Sequence, residues 1–141
     1  MYDETVVLFA QGKLDWVNDT YKVLLATDRY VPSQATDRTR RDIGSSEVAA
    51  AGSYKPGGAI LRGRSIDRTG FNTVSLSGGT VEWRDFTGEF RYAVIYQDNG
   101  AVTDDRLIAY TDLGRQQATN ARVMLEYDRD GGVAEFAVEP A

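Results

Sequence analysis

Asp98, Asp104 and Asp105 fall within one polar stretch, Gln97–Arg106 (QDNGAVTDDR). They are oxygen ligands in name. A hard cation, however, needs about six to eight oxygens in closed geometry, and a solvated loop is the plainer account. Asp104 and Asp105 are adjacent, so in a strand they would point to opposite faces. Asp128-x-Asp130-Gly131 opens like a calcium loop, and Glu139 stands at the twelfth position. The intervening VAEFAV reads as a strand, so such a loop cannot wrap an ion, and a D-G turn explains these residues without metal. Glu82 and Glu89 flank Arg84 in a pattern of surface charge alternation. The sequence has no His and no Cys. It therefore lacks the commonest general base, the commonest transition-metal ligand and any thiolate. It also has no G-x-S-x-G elbow, H-E-x-x-H pair or phosphate loop. We expect no catalytic residues, no metal and no cofactor.

Two other residue sets suggest binding. Arg38, Arg40 and Arg41 form a basic cluster on an acidic chain, which suits docking to an acidic partner surface. The competing account is a solvated loop in which Asp37 and Asp42 pair with these arginines. Eight Tyr and two Trp would supply stacking platforms for a sugar. Trp16 and Trp83 both lie in apolar contexts, so core positions are the simpler reading for them.

The elements that carry these residues follow from periodicity. Tyr92–Tyr96 and Leu107–Tyr110 are short runs rich in β-branched and aromatic residues, with the turn signal Asn99-Gly100 between them. They predict a central antiparallel hairpin with a long tip, and Tyr92, Val94, Tyr96 and Leu107 as buried core. Tyr2–Gly12 reads as a short helix with Asp3 as N-cap, Gly12 as C′ stop, and Val6, Phe9 and Ala10 on one face. In this reading Tyr2 staples against Val7. TVVLF also suits a strand. Lys13–Asp19 is a connector anchored by Trp16.

Thr20–Thr27 is a strand with Tyr21, Val23 and Leu25 inward and Leu24 on the outer face. Asp28–Ser46 is a long polar loop with one helical turn within Thr36–Ile43. Glu47–Ala51 is a short strand and Gly52–Gly58 a turn. Ala59–Asp67 is a strand with a bulge at Gly63, followed by a turn at Arg68–Gly70. Asn72–Ser77 and Thr80–Arg84 are strands, and Phe86–Glu89 bends into the hairpin. Thr111–Thr119 is a linker broken at Gly114. Asn120–Tyr127 is a strand with Ala121, Val123, Leu125 and Tyr127 on one face. Asp128–Gly132 is a turn, and Val133–Glu139 is a last strand with Ala134, Phe136 and Val138 on the core side.

About eight or nine short strands with turn signals between them predict an all-β antiparallel sandwich, jelly-roll-like, with a short N-terminal helix. At 141 residues one domain over 1–141 is expected. The net charge of −5 argues against nucleic-acid binding. No apolar run reaches the ~20 residues of a membrane span. The acidic flanks of the first residues are unlike a signal peptide. Arg greatly outnumbers Lys, which fits an assembly subunit, though codon usage explains it equally well.

Several stretches together resemble a known family. They are Gly12-Lys13-Leu14-Asp15-Trp16, then Asp19–Val23, and EVAAAGSYKPGGAIL at Glu47–Leu61. Val81-Glu82-Trp83, RYAVIYQD at Arg91–Asp98 and LIAYTD at Leu107–Asp112 follow. Their order and spacing are similar to a family of small tailed-phage virion proteins. The likeness covers nearly the whole chain, and the RYAVIY-x-D … LIAY-x-D pair is its most specific part. The family usually has Gly where Ser53 stands, and it is richer in Gly, Ser and Asn over Arg115–Thr119. The resemblance implies a structural protein of the particle with no catalytic residues. The expectation is a capsid decoration or cement protein, a homo-oligomer on the major capsid protein. It would be made in the host cytoplasm and built into the virion. The alternative is a tail or neck component, including a host-binding tip.

Overall fold

A computed structural model describes residues 1–70, 73–127 and 133–140; for residues 67–70, 73–75 and 133–140 it describes the backbone alone. The chain is mostly strand, in antiparallel sheets, with one short N-terminal helix. A five-stranded sheet has the order β2-β1-β5-β6-β7, and β3 and β4 form a separate two-stranded ribbon. The strands are β1 (Tyr21–Ala26), β2 (Ala59–Ile60), β3 (Ser65–Gly70), β4 (Thr73–Ser77), β5 (Thr80–Gln97), β6 (Arg106–Tyr127) and β7 (Val133–Pro140). The all-β antiparallel class with an N-terminal helix is therefore what forms. The described strands make one large sheet and one small ribbon.

The central hairpin forms as the alternation predicts, with Val94 opposite Tyr110 and Ile95 opposite Ala109. Tyr92, Val94, Tyr96 and Leu107 are all buried. The hairpin is far longer than its two apolar runs suggested. Thr80–Gln97 is one strand, not a short strand followed by a bend. Thr111–Thr119, expected as a linker, lies inside β6. Its polar side chains misled the reading, because pairing with β5 is a backbone matter. Gln116 and Gln117 sit opposite Phe90 and Glu89 in the ladder.

Register shifts interrupt this ladder between Trp83 and Phe86, Phe86 and Gly88, Phe90 and Tyr92, and Ile95 and Tyr96. Each re-aims the following side chains. On β5 one face therefore buries Val81 and Trp83, then Phe86 and Phe90, then Ala93 and Ile95. A strict alternation cannot connect these residues.

The sheet has two cores, one on each face. The larger holds these β5 residues with Val23, Leu25, Trp16, Tyr54, Leu61, Leu125 and others. The smaller gathers Tyr2, Leu24, Ala26, Tyr30, Ile43, Tyr92, Val94, Tyr96 and Leu107. Leu24, expected on an outer face, is fully buried in the smaller core. The N-terminal residues and the 28–46 loop supply its cover.

Helix α1 (Asp3–Ala10) differs in detail from the expectation. Tyr2, not Asp3, is the N-cap, and it makes no side-chain cap bond. Thr5 and Leu8 are the buried positions, while Val6 and Val7 are exposed, so no staple to Val7 forms. Tertiary bonds set the helix's rotation. Tyr2 N donates to Ile108 O at 3.1 Å, and Thr5 Oγ1 donates to Leu107 O at 2.7 Å. The predicted stop holds. Gly12 N bonds Phe9 O and Lys13 N bonds Leu8 O, the two bonds of a Schellman motif, with Gly12 at φ 72°.

Three smaller corrections concern the middle of the chain. Glu47–Ala51 is not a strand; Glu47 and Ala51 make isolated bridges to Ala26 and Tyr54. The predicted strand over Ala59–Asp67 splits into β2 and the start of β3, and Arg68–Gly70 belongs to β3 rather than to a turn. The Gly52–Gly58 turn is present, and Gly58 lies flat against β1. A Cβ there would sit 1.8 Å from Val23 O, which only glycine avoids. The turn at 128–132, its calcium reading and the core side of the last strand fall outside the described residues or side chains.

Candidate functional site

The arginine cluster and the acidic hairpin tip, considered separately in sequence, meet in space. The tip turns through Ala101, whose carbonyl accepts Asp104 N and Asp105 N at 2.9 Å each. Residues 38–41 then run beside it. Leu107 N donates to Arg38 O, Arg40 N to Asp105 O and Arg41 N to Val102 O, and Thr39 bridges Arg106. The long loop is thus stapled to the tip by backbone bonds. A 3₁₀ turn, Arg40–Asp42, supplies the helical turn expected within Thr36–Ile43.

Side chains lock the staple. Asp105 is 1% exposed, so it is not the solvated acid its surroundings in sequence suggested. One carboxylate oxygen accepts Asn99 N at 2.7 Å, and the other accepts Arg40 Nη1 at 2.9 Å. The Arg40 guanidinium carbon lies 5.2 Å from the centre of the Tyr96 ring. The Tyr96 hydroxyl donates to Gly57 O, which ties the Gly52–Gly58 turn to the same cluster. Burial raises the Tyr96 pKa, and the Arg40 charge only partly opposes it. On the other side of the tip, Lys22 pairs with Asp98 at 3.1 Å. Partial burial would raise the Asp98 pKa; the bonds from Lys22 and Gly100 N and the nearby positive charges outweigh it and hold it low.

The three arginines therefore separate. Arg40 turns inward. Arg38 and Arg41 are exposed, and neither side chain makes an ion pair among the described residues. Asp37 and Asp42 do not pair with them either. Asp37 accepts the Tyr30 hydroxyl at 2.7 Å and Ser33 N at 3.0 Å, while Asp42 accepts Arg38 N and Thr39 N. Tyr30 donates to Asp37, so Tyr2 donates to Tyr30 across 2.6 Å, which completes a buried chain from helix to loop.

Chemically this assembly holds a shape. Asp37, Asp42, Asp98 and Asp105 are each occupied by an amide, a hydroxyl or a cation, while Asp104 is exposed. No three acids gather around a metal-sized gap among the described residues. Trp16 and Trp83 are both buried, so neither offers a face to a sugar. Trp16 Nε1 donates to Ser65 O and Ser77 O, which pins the β3–β4 ribbon to the connector. Sequence reasoning missed Arg64. It stacks over Tyr21 and donates to the carbonyls of Trp16, Val17, Asp19 and Leu61, closing the connector from outside. Nothing in the RGRS stretch around it signals that role. Asp105 was missed because an Asp-Asp pair in a polar loop looks solvated.

No helix among the described residues is long and apolar enough to cross a membrane. In comparisons with known proteins, no family model, no curated protein and no solved structure matches the chain.

Proposed function

We propose that this chain is a structural protein of a tailed-phage particle. In this reading it is a decoration protein that lies on the shell as an oligomer and clamps neighbouring major capsid protein subunits. The resemblance carried by RYAVIY-x-D and LIAY-x-D motivates the phage assignment. In this chain Tyr92–Tyr96, Leu107 and Ile108 of that pattern are buried in the hairpin.

The observation that supports clamping is the staple. A loop that lies across a seam binds best when its shape is fixed beforehand, because little ordering remains to oppose association. The 38–41 segment is fixed by three backbone bonds and a buried ion pair, and it presents Arg38 and Arg41 outward. Two exposed guanidinium groups on a rigid ledge suit charge-assisted bonds to acidic residues of a neighbour. Weak contacts of this kind hold firmly when repeated over symmetric copies.

The test uses particles lacking this gene product, imaged beside wild type, and particles carrying Arg38→Glu with Arg41→Glu. The expected result is missing density on the outer shell in the first and reduced occupancy in the second, with the purified variant melting as wild type does. Complete shells with density lost from the tail or its tip would replace this reading with a tail or neck role.

A further inference from the structure

Asn99-Gly100 is the chain's one Asn-Gly pair, and both residues lie exposed at the tip of the hairpin. An asparagine followed by glycine can lose its side-chain amide without an enzyme. The Gly100 nitrogen, stripped of its proton, attacks Asn99 Cγ. A C–N bond forms, Nδ2 leaves as ammonia, and a five-membered imide remains. Water then opens the ring at either carbonyl, giving aspartate or isoaspartate. Glycine favours the attack because no Cβ shields its nitrogen. At Gly100, with φ 96°, nothing stands within 4 Å of where a Cβ would lie, so packing does not shield the turn either.

Hydrogen bonds, not packing, hold the reacting groups back. Both N–H groups of Asn99 Nδ2 are taken, by Gln97 Oε1 at 3.0 Å and by the Asp104 carbonyl at 2.8 Å. These bonds restrain the side-chain rotation that ring closure requires. The Gly100 N–H donates to Asp98 Oδ1 at 3.1 Å. A carboxylate against that proton disfavours its loss, since a second negative charge would form beside the first. Asn99 N donates to the buried Asp105 at 2.7 Å, and Asp105 also holds Arg40. The reactive pair is therefore fastened by the same acid that fastens the 38–41 segment. The products do not fit this frame. Conversion replaces Nδ2, a double donor, by an oxygen that faces two acceptors. Isoaspartate also lengthens the backbone by a methylene between residues 99 and 100.

We propose that Asn99-Gly100 is a deamidation site gated by the staple: it stays intact while the tip is closed, converts when the tip opens, and once converted leaves Asp105 and Arg40 unlocked. The inference stands on the chemistry of the tip and is independent of any role for the ledge in a particle.

The test incubates the purified full chain in mildly alkaline buffer, below the pH at which tyrosines titrate, and follows residue 99 by peptide mass spectrometry. Wild type should convert at least about tenfold more slowly than the same chain unfolded in guanidinium chloride, because only the open fraction reacts. Asp105→Ala should remove most of that protection. Asn99→Asp, which copies one product, should melt several degrees below wild type. Equal rates in folded and unfolded chains, or no conversion in either, would overturn the site. A folded Asp105→Ala that stays protected would rule out the staple as the gate, and an Asn99→Asp chain as stable as wild type would rule out the unlocking. Should Asp105→Ala fail to fold, wild type in low guanidinium chloride decides. A rate that rises less steeply than global unfolding supports local opening of the tip, and one that rises in step with global unfolding refutes it.

Discussion

The two halves of the long hairpin share one ladder but live in different surroundings. Near the tip, Tyr92–Gln97 and Arg106–Tyr110 are covered on both faces. Val94 and Tyr96 point into the smaller core, Ala93 and Ile95 into the larger. Farther out, Thr80–Phe90 and Leu113–Tyr127 are covered on one face only. There the second face carries Glu82, Arg84 and Arg122, with Glu82 bonded to both arginines. The tip half thus reads as an unbroken apolar run and the outer half as an alternation. What differs is whether helix and loop reach far enough to lie over the sheet. A single strand changes its sequence grammar where its cover ends.

The largest test of this contrast is alkaline pH. Tyr2, Tyr30 and Tyr96 lie under the cover of the tip half, and Tyr54 lies on the other face. All four have pKa values raised above 10.0, with burial as the first cause. The folded state then keeps protons that the unfolded state releases. This stability is fully present below the unfolded phenol pKa of about 10 and is lost as pH rises beyond it, by about 1.4 kcal/mol per pH unit for each tyrosine. A denaturant midpoint flat from about pH 9 to 11 would contradict the burial of these hydroxyls.

Next is Asp105→Ala, which leaves Arg40 without its buried partner. We expect a loss of about 3–5 kcal/mol. The double variant with Arg40→Met should lose much less than the sum of the two single changes. Simple additivity would mean the ion pair does not lock the tip.

Val94→Ala should cost about 1–3 kcal/mol, since it removes buried methyls from the smaller core. Gln117→Ala lies in the outer half, exposed, and should stay within about 0.5 kcal/mol. Similar costs at the two positions would erase the contrast between covered and uncovered halves.

The smallest effect belongs to the boundary. Arg91 makes two bonds of 3.0 Å to Asp112, and this holds the Asp112 pKa low. The pair is solvent-facing, so Asp112→Asn should cost less than about 1 kcal/mol and the difference should fade in high salt. A loss that persists in strong salt would indicate a structural hinge where cover begins.

The sequence made the two-faced hairpin readable because both faces are apolar there and few other patterns resemble it. It made the β class readable for the same reason. The polar continuation of β6 was hidden, because Gln116, Gln117 and Thr119 need no burial to join a ladder. The sidedness of Leu24 was hidden as well, since it shares its core with Tyr2, Tyr30 and Ile43, which lie outside its strand and which the alternation within Thr20–Thr27 does not place. At the candidate site the arginines were visible as a group. Their division into one inward and two outward was not, because Asp105, some 65 residues beyond Arg40, selects which arginine turns in. The staple is a long-range fact, and local spacing carries no trace of it.

The docking of α1 onto β6 also bears on the order in which the molecule assembles. Tyr2 and Thr5 bond Ile108 and Leu107, about a hundred residues later in the chain. Helix α1 has no place to settle until the hairpin exists. The hairpin closes over a short loop, while the helix must wait for a distant contact, and long-range closure is slow. Refolding followed by pulsed hydrogen exchange should protect the amides of Val94 and Tyr110 before that of Tyr2. Helix α1, which precedes the hairpin in the chain, would then be the piece that completes this part of the fold.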